Sequence, residues 1–231
     1  MSYMVKAIKA NLNLSENRPI KELVYEAVRK TVILGDILSG ERINEKNLAA
    51  GLNISRTPLR YAFTRLADEG LVVRKPGIGV IVKGMTLRDA REIFDIRKEL
   101  DTLATCKAME RMSSTQYAAL EKLLQDTQRL DQAGEVDAVI QHFSDFNAFI
   151  YQASQMPLLE SILTKLRAYL VYFRDISIRS KGRRDRAIRE HWLIYRGMVN
   201  HDPEQIRMLI HEHLDYSLQF ILNEMRARDL E

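Results

Sequence analysis

Residues 55–66 constrain the fold of this chain more than any other stretch. Leu59, Ala62, Phe63 and Leu66 stand at i, i+3, i+4 and i+7, an apolar stripe that a helix must bury against a neighbour. Arg56, Thr57 and Arg60 fall at the start of the same helix on its other side. Ser55 is suited to the N-cap, and Pro58 is tolerated in the first turn, where its missing N–H is not needed. A helix divided in this way packs one face and presents the N-terminal end of the other. The second helix of a helix-turn-helix uses that end to touch base edges.

The flanking residues extend the pattern. Asn44 to Ala50 reads as a short helix started by Asn44 and stopped at Gly51, with Leu48 and Leu52 facing inward, and residues 51–54 form the turn. Gly70 ends the second helix. The β-branched runs 71–74 and 80–83 then read as two strands joined by residues 75–79. A further helix from about Ile20 to Leu34 places Leu23, Val24, Ala27, Val28, Val32 and Ile33 on one side and exposes Glu22, Arg29 and Lys30. The expected fold class is mainly α: a winged helix-turn-helix with a small β-hairpin wing, followed by an all-α bundle of about six helices.

Three segments carry a resemblance to a family: Gly40 to Ala49, Asn53 to Arg60, and Leu66 to Val72, with Gly77 to Val80 after them. Together they resemble the DNA-binding domain of GntR-family bacterial transcription regulators over residues 15–85. Ser39 stands where the family usually has proline, and Tyr61 where a glutamate usually follows the second recognition arginine. The resemblance implies DNA contacts from Lys46, Arg56, Thr57, Arg60 and the wing glycine Gly77, with Pro58 shaping the helix start. Ser55 at that start and Lys75 and Lys83 on the wing complete the expected set, the two lysines as phosphate contacts.

Charge agrees with this division. Residues 1–85 hold 14 Lys+Arg against 8 Asp+Glu, a net +6, whereas the whole chain is +4, so the remainder is −2. Positive charge is thus concentrated where phosphates would be bound. The single Cys106 excludes an internal disulfide, and among its helical neighbours it is expected in the core. Neither a signal-peptide pattern at Met1 to Lys9 nor an apolar run long enough for a bilayer is present, so a cytoplasmic protein without a membrane partner is expected. The expected domains are residues 1–85 and 86–231, with Thr86 as the N-cap of the second.

From there on the chain shows only helical periodicity, with segments expected at 87–110, 114–132, 135–154, 157–178, 183–200 and 203–229. Ser113 with Gln116 marks one start and Asp202-Pro203 another, while Gly134, Met156-Pro157 and Lys181-Gly182 mark breaks. Arg97 to Asp101, Phe146-Asn147, Glu190-His191 and His211 to Leu214 carry a resemblance to the FCD ligand-binding domain of the FadR subgroup. That resemblance implies a metabolite effector, and in many such domains a divalent metal held by an Asp, a His one turn later and two further histidines. The later pair falls on His191 and His213, but the earlier positions are Phe143 and Asn147.

Two imidazoles and one amide oxygen lack the charge that usually holds zinc. A zinc, nickel or manganese ion on His191 and His213 is therefore weighed against a metal-free pocket in which both histidines hydrogen-bond. The expected effector contacts are Arg97, Asn147, His191 and His213, with protonated histidine strengthening the grip on an anion as pH falls. Arg97 and Arg167 are the candidate carboxylate clamps, or alternatively partners in helix-surface ion pairs. The sequence thus points to a homodimeric regulator that binds a double-stranded operator and a small carboxylate. A metal-dependent bundle enzyme leaves residues 40–83 unexplained and lacks paired Glu-x-x-His sequences. An effector-independent architectural DNA-binding protein is the other alternative.

Overall fold

Burial of short amphipathic stripes against one another builds the N-terminal part. The computed structural model describes residues 2–230, which divide into two compact units: residues 2–87 with 225–230, and residues 88–224. The first contains helices α1 (Tyr3–Asn11), α2 (Ile20–Ile33), α3 (Glu45–Leu52) and α4 (Arg56–Asp68), with strands β1 (Arg42–Ile43), β2 (Val72–Lys75) and β3 (Gly79–Val82). Leu59, Ala62, Phe63 and Leu66 of α4 are wholly buried, and the helix packs chiefly on α2. This is the stripe expected from the sequence.

Polar links fix the same pair of helices. The Tyr61 hydroxyl donates to Glu22 at 2.6 Å, Arg65 reaches the other oxygen of Glu22 at 2.8 Å, and its guanidinium lies 3.7 Å over the Tyr25 ring. Tyr61, the departure from the usual glutamate, therefore has a packing role between α2 and α4. Arg29, expected on the surface, is buried instead, because Glu69 binds its Nε at 2.7 Å and also accepts from the Tyr25 hydroxyl. A buried guanidinium requires such a partner.

Several elements lie outside the sequence expectation. Helix α1 precedes the expected first helix and docks through buried Val5 and Ile8, with Asn11 Nδ2 donating to Thr31 Oγ1 at 3.1 Å. The wing has three strands in the order β1-β3-β2, all antiparallel, because Arg42 and Ile43 pair with Ile81 and Val80. At the end of the chain, residues 225–230 group with the first unit. There Arg228 approaches the Leu34 carbonyl at 3.5 Å and Asp36 at 3.7 Å.

Ser55 occupies the N-cap position of α4 in an extended conformation but makes no side-chain cap bond. The reason is local. An N-cap hydroxyl accepts from the N–H of the second or third helical residue, and the third here is Pro58, which has none. Asn44, by contrast, caps α3 by accepting from Lys46 and Asn47 N–H groups at 3.0 and 3.1 Å.

The second unit is built from α5 (Leu87–Arg111), α6 (Ser114–Gln132), α7 (Val136–Ala153), α8 (Pro157–Ile178), α9 (Lys181–Val199) and α10 (Pro203–Arg226), which continues into the first unit at its end. Ser113 and Gln116 form the expected capping box of α6. Lys181 and Gly182, expected as a break, belong to the first turn of α9. There a glycine gives up little, because its N–H has no intrahelical partner in any case. Val139, Phe143, Ile178, Ala187 and Ile188 form one buried cluster, with Trp192 packed against it. Cys106 is only half-buried rather than a core residue. Among the described residues, no helix is long and apolar enough to cross a membrane.

The α2–α4 contact is the core of the first unit, so truncating its largest buried ring should be severe. Phe63→Ala is expected to lower the stability of the first unit by about 3–5 kcal/mol. Urea denaturation followed by circular dichroism measures it.

Candidate DNA-reading groove and ligand cavity

In the first unit, β1, the start of α3, the start of α4 and the wing enclose an open groove of about 530 Å³. Its cations are Arg42, Lys46, Arg56, Arg74 and Lys75, and its one acid is Glu45. The wing turn between β2 and β3 closes with an Ile78 N–H to Lys75 carbonyl bond at 3.1 Å. Gly77 and Gly79 take φ values of +71° and +115° there, conformations that side-chain-bearing residues rarely adopt.

The expected DNA contacts sort into three groups. Lys46, Arg56, Lys75 and Gly77 line the groove. Ser55, Thr57 and Arg60 are exposed on or beside the start of α4, and Pro58 is buried beneath it. Lys83 is exposed beyond the end of β3 and does not line the groove. Arg42 and Arg74 were missed, because strand residues in alternation give no sign of which arginine faces a neighbouring helix.

Glu45 organises these cations. It is mostly buried, with its two oxygens 3.6 Å from Arg60 Nε and 3.4 Å from Arg74 Nη2, while Arg74 also donates to the Arg60 carbonyl at 3.2 Å. One carboxylate thus ties the recognition helix to the wing. The guanidiniums of Arg60 and Arg74 remain partly exposed, with side-chain exposures of 59 % and 43 %. That leaves donors to spare for base edges or phosphates.

In the second unit, helices α5, α7, α8, α9 and α10 enclose a cavity of about 60 Å³. Arg97, Arg167, Arg174 and Arg183 line it together with Asn147, His191 and His213, and no Asp or Glu is among the lining residues. The four arginines are unequal. Arg97 is held by Asp101, whose Oδ2 lies 3.1 Å from Nε and 3.0 Å from Nη2, and Asp101 also accepts from the Tyr151 hydroxyl. It is neither a free clamp nor a surface pair. Arg174 pairs with its neighbour Asp175 at 2.6 Å.

Arg183 is 3 % exposed, reaches Glu190 only at 3.4 Å, donates to Ser217 Oγ at 2.7 Å, and has an Nε with no hydrogen-bond partner. Arg167 has no carboxylate within ion-pair distance among the described residues, and lies 5.7 Å over the Tyr151 ring. Burial lowers the pKa of both below the ordinary arginine value, and in both it is the largest influence. Arg174, Arg183 and Ser217 were not expected at this site. They come from α8, α9 and α10, and in the sequence Arg183 belongs to a basic run that resembles a solvated surface.

The histidines carry different states. His191 stacks on Phe146 with centroids 4.2 Å apart and meets Phe143 edge-on at 4.9 Å. Burial, reinforced by the positive charge of His213, Arg183 and Arg167, holds it well below the usual imidazole range. The expectation that falling pH strengthens the pocket by protonation therefore fails for His191. His213 Nδ1 lies 2.7 Å from Glu190 Oε2, which leaves Nε2 as its nitrogen for a ligand. Burial raises the Glu190 pKa, but the contacts of His213, Arg186 and Arg183 together bring it below the ordinary value.

A metal does not fit these residues. Phe143 supplies no donor, Asn147 offers only one neutral amide oxygen while its Nδ2 donates to the Phe143 carbonyl at 2.6 Å, and Arg167 and Arg183 bring positive charge to the same cavity. Among the described residues, no three His, Cys, Asp or Glu side chains gather as a metal site. His142, near the lost ligand position, instead meets Thr127 Oγ1 at 3.1 Å.

A helix-turn-helix with a basic wing, followed in the chain by a helical bundle with a small arginine-lined cavity, is the architecture of a DNA-binding regulator. Comparison with known proteins agrees. Residues 20–82 match the signature described as bacterial regulatory proteins, gntR family, and residues 92–216 match the FCD domain. The chain belongs to the gntR family of bacterial transcriptional regulators, with an FCD domain as its second part.

Among relatives, the HTH-type transcriptional regulator McbR of Escherichia coli (strain K12) is 32% identical over 143 residues, 62% of this chain and 65% of McbR. The HTH-type transcriptional regulator YdhC of Bacillus subtilis (strain 168) is 24% identical over 212 residues, 91% of this chain and 95% of YdhC. The solved structure of E. coli McbR/YncC superposes with a TM-score of 0.62 at 21% identity, covering 96% of this chain and 98% of that one, and so shares the fold.

Three predictions follow from the geometry. Arg56→Ala and Arg60→Ala should each weaken specific operator binding by about 1–3 kcal/mol while leaving the fold intact. Glu45→Ala should instead raise affinity for random duplex and narrow the ratio of specific to random binding, as fluorescence anisotropy on both DNAs would report. For His191, the folded state binds its proton less readily than the unfolded chain. The unfolded state is therefore favoured as pH falls below about 6.5, at up to about 1.4 kcal/mol per pH unit for this one proton. Urea midpoints at neutral and mildly acidic pH should show this loss, and His191→Phe should reduce it.

Proposed function

We propose that this regulator reads a two-fold operator as a homodimer in the cytoplasm, with residues 1–85 as the reader. Residues 86–231 bind a small carboxylate that changes operator affinity. The observation that carries the reading is the cavity lined by four arginines and no acid, with Arg183 Nε unpartnered and Arg167 lacking a carboxylate. Uncompensated buried cations are costly unless an anion meets them. A planar guanidinium fork suits a carboxylate in two-point contact, and His213 Nε2 and Ser217 offer further hydrogen bonds. At about 60 Å³, the cavity takes the carboxylate end of a ligand, being about twice the volume that one water occupies in the liquid.

Direct recognition also accounts for the loss of the metal ligand set at Phe143 and Asn147. Positive charge that an ion would supply comes instead from arginine. Two readers on one duplex follow from the short reach of a single recognition helix, and half-sites on a defined spacing are the matching operator.

A thermal-shift screen of sugar acids, dicarboxylates and acyl compounds, run with and without chelator, tests the reading. An acid should raise the melting temperature equally in both arms. Arg167→Met should abolish that response and at the same time raise the melting temperature of the unliganded protein, since it removes an uncompensated buried charge. A response that vanishes on chelation would establish a metal-dependent site, and no response to any acid would favour an effector-independent DNA-binding protein.

A further inference from the structure

Helix α1 lies outside the matched gntR segment, which begins at residue 20. Its seat is nevertheless specific. Val5 packs on Gly51 of α3, where an added Cβ would collide with the valine side chain, and Asn11 bonds to Thr31 of α2. On a helix, residues 8 and 11 lie to one side of residue 5, and residues 6 and 9 to the other. With Asn11 turned toward α2 and Val5 toward α3, Lys6 and Lys9 border the α3 side of α1.

Both lysines are exposed, and neither engages a carboxylate among the described residues. The first fifteen residues of the chain contain no Asp or Glu. The helix they border, α3, carries Lys46 at its start and passes through a turn at Asn53 directly into the recognition helix at Arg56. We infer that α1 is a second DNA-contacting element, with Lys6 and Lys9 meeting backbone phosphates that flank those reached by α3 and α4.

The partner is duplex DNA and the contact is electrostatic. Lysine is a compact ammonium on a flexible stem, suited to phosphate and indifferent to base identity. The footprint of each reader is thereby extended without added sequence information, and the salt dependence of binding steepens. This inference rests on the DNA-binding reading given above.

The test uses the full chain and a mixed-sequence duplex long enough for two readers and their flanks, with anisotropy measured over a range of salt concentrations. Lys6→Ala and Lys9→Ala should each reduce the slope of log K against log salt by about 0.9 per reader, hence by about 1.8 for a bound dimer, and the double variant by about twice that. Lys6→Glu/Lys9→Glu should weaken binding further, and Lys122→Ala, on the exposed face of α6, should leave the slope unchanged. Unaltered helical circular dichroism in all variants separates charge from folding. Wild-type binding with slopes identical in the lysine variants would overturn the inference and leave the reader intact. A wild-type chain that ignores duplex DNA would overturn the reading beneath it.

Discussion

Burial of Leu59, Ala62, Phe63 and Leu66 against α2 is the constraint on which the reading function depends. A recognition helix is useful only if its rotation about its own axis is fixed, because a turn of a few tens of degrees would redirect Arg56 and Arg60. Apolar packing sets that rotation coarsely. The Glu22–Tyr61–Arg65 links and the Tyr25–Glu69–Arg29 links then fix it along one side of the stripe, the two sets joined where Arg65 lies over the Tyr25 ring. Glu45 connects the helix to the wing, so that Arg60 and Arg74 belong to one electrostatic unit.

The second unit inverts this logic. Around its cavity, the charges are incompletely matched: Arg97 is neutralised by Asp101 and Arg183 reaches Glu190, while Arg183 Nε has no hydrogen-bond partner and Arg167 has a ring face but no carboxylate within ion-pair distance among the described residues. On the proposed reading, an anion that meets these groups gains affinity for the state that presents them, which is how a binding event can shift an equilibrium. His191 contributes shape rather than charge, since burial and the surrounding cations keep it neutral.

How much of this was legible in the sequence depends on the range of the interactions. The stripe of α4, the Asn44 cap and the Ser113–Gln116 box are encoded within a few residues, and the sequence states them directly. Helix α1 and strand β1 depend on partners far along the chain, namely Thr31, Gly51 and Val80, so local periodicity is silent about them. Ser55 shows the opposite error, a local rule defeated by Pro58 three residues away. In the cavity, His191 and His213 were visible through their resemblance to a known ligand set. Arg183 and Arg174 were hidden, because only the packing of α8, α9 and α10 distinguishes them from surface arginines.

The central claim is that the two units are thermodynamically coupled through a metal-free anion site. The most direct test is reciprocity. The affinity for operator is measured with and without the acid that gives the largest thermal shift, and the affinity for that acid is measured with and without saturating operator. Coupling requires both ratios to depart from one by the same factor, of about 5- to 150-fold, in chelator as well as without it. Tight acid binding with both ratios equal to one would contradict the account.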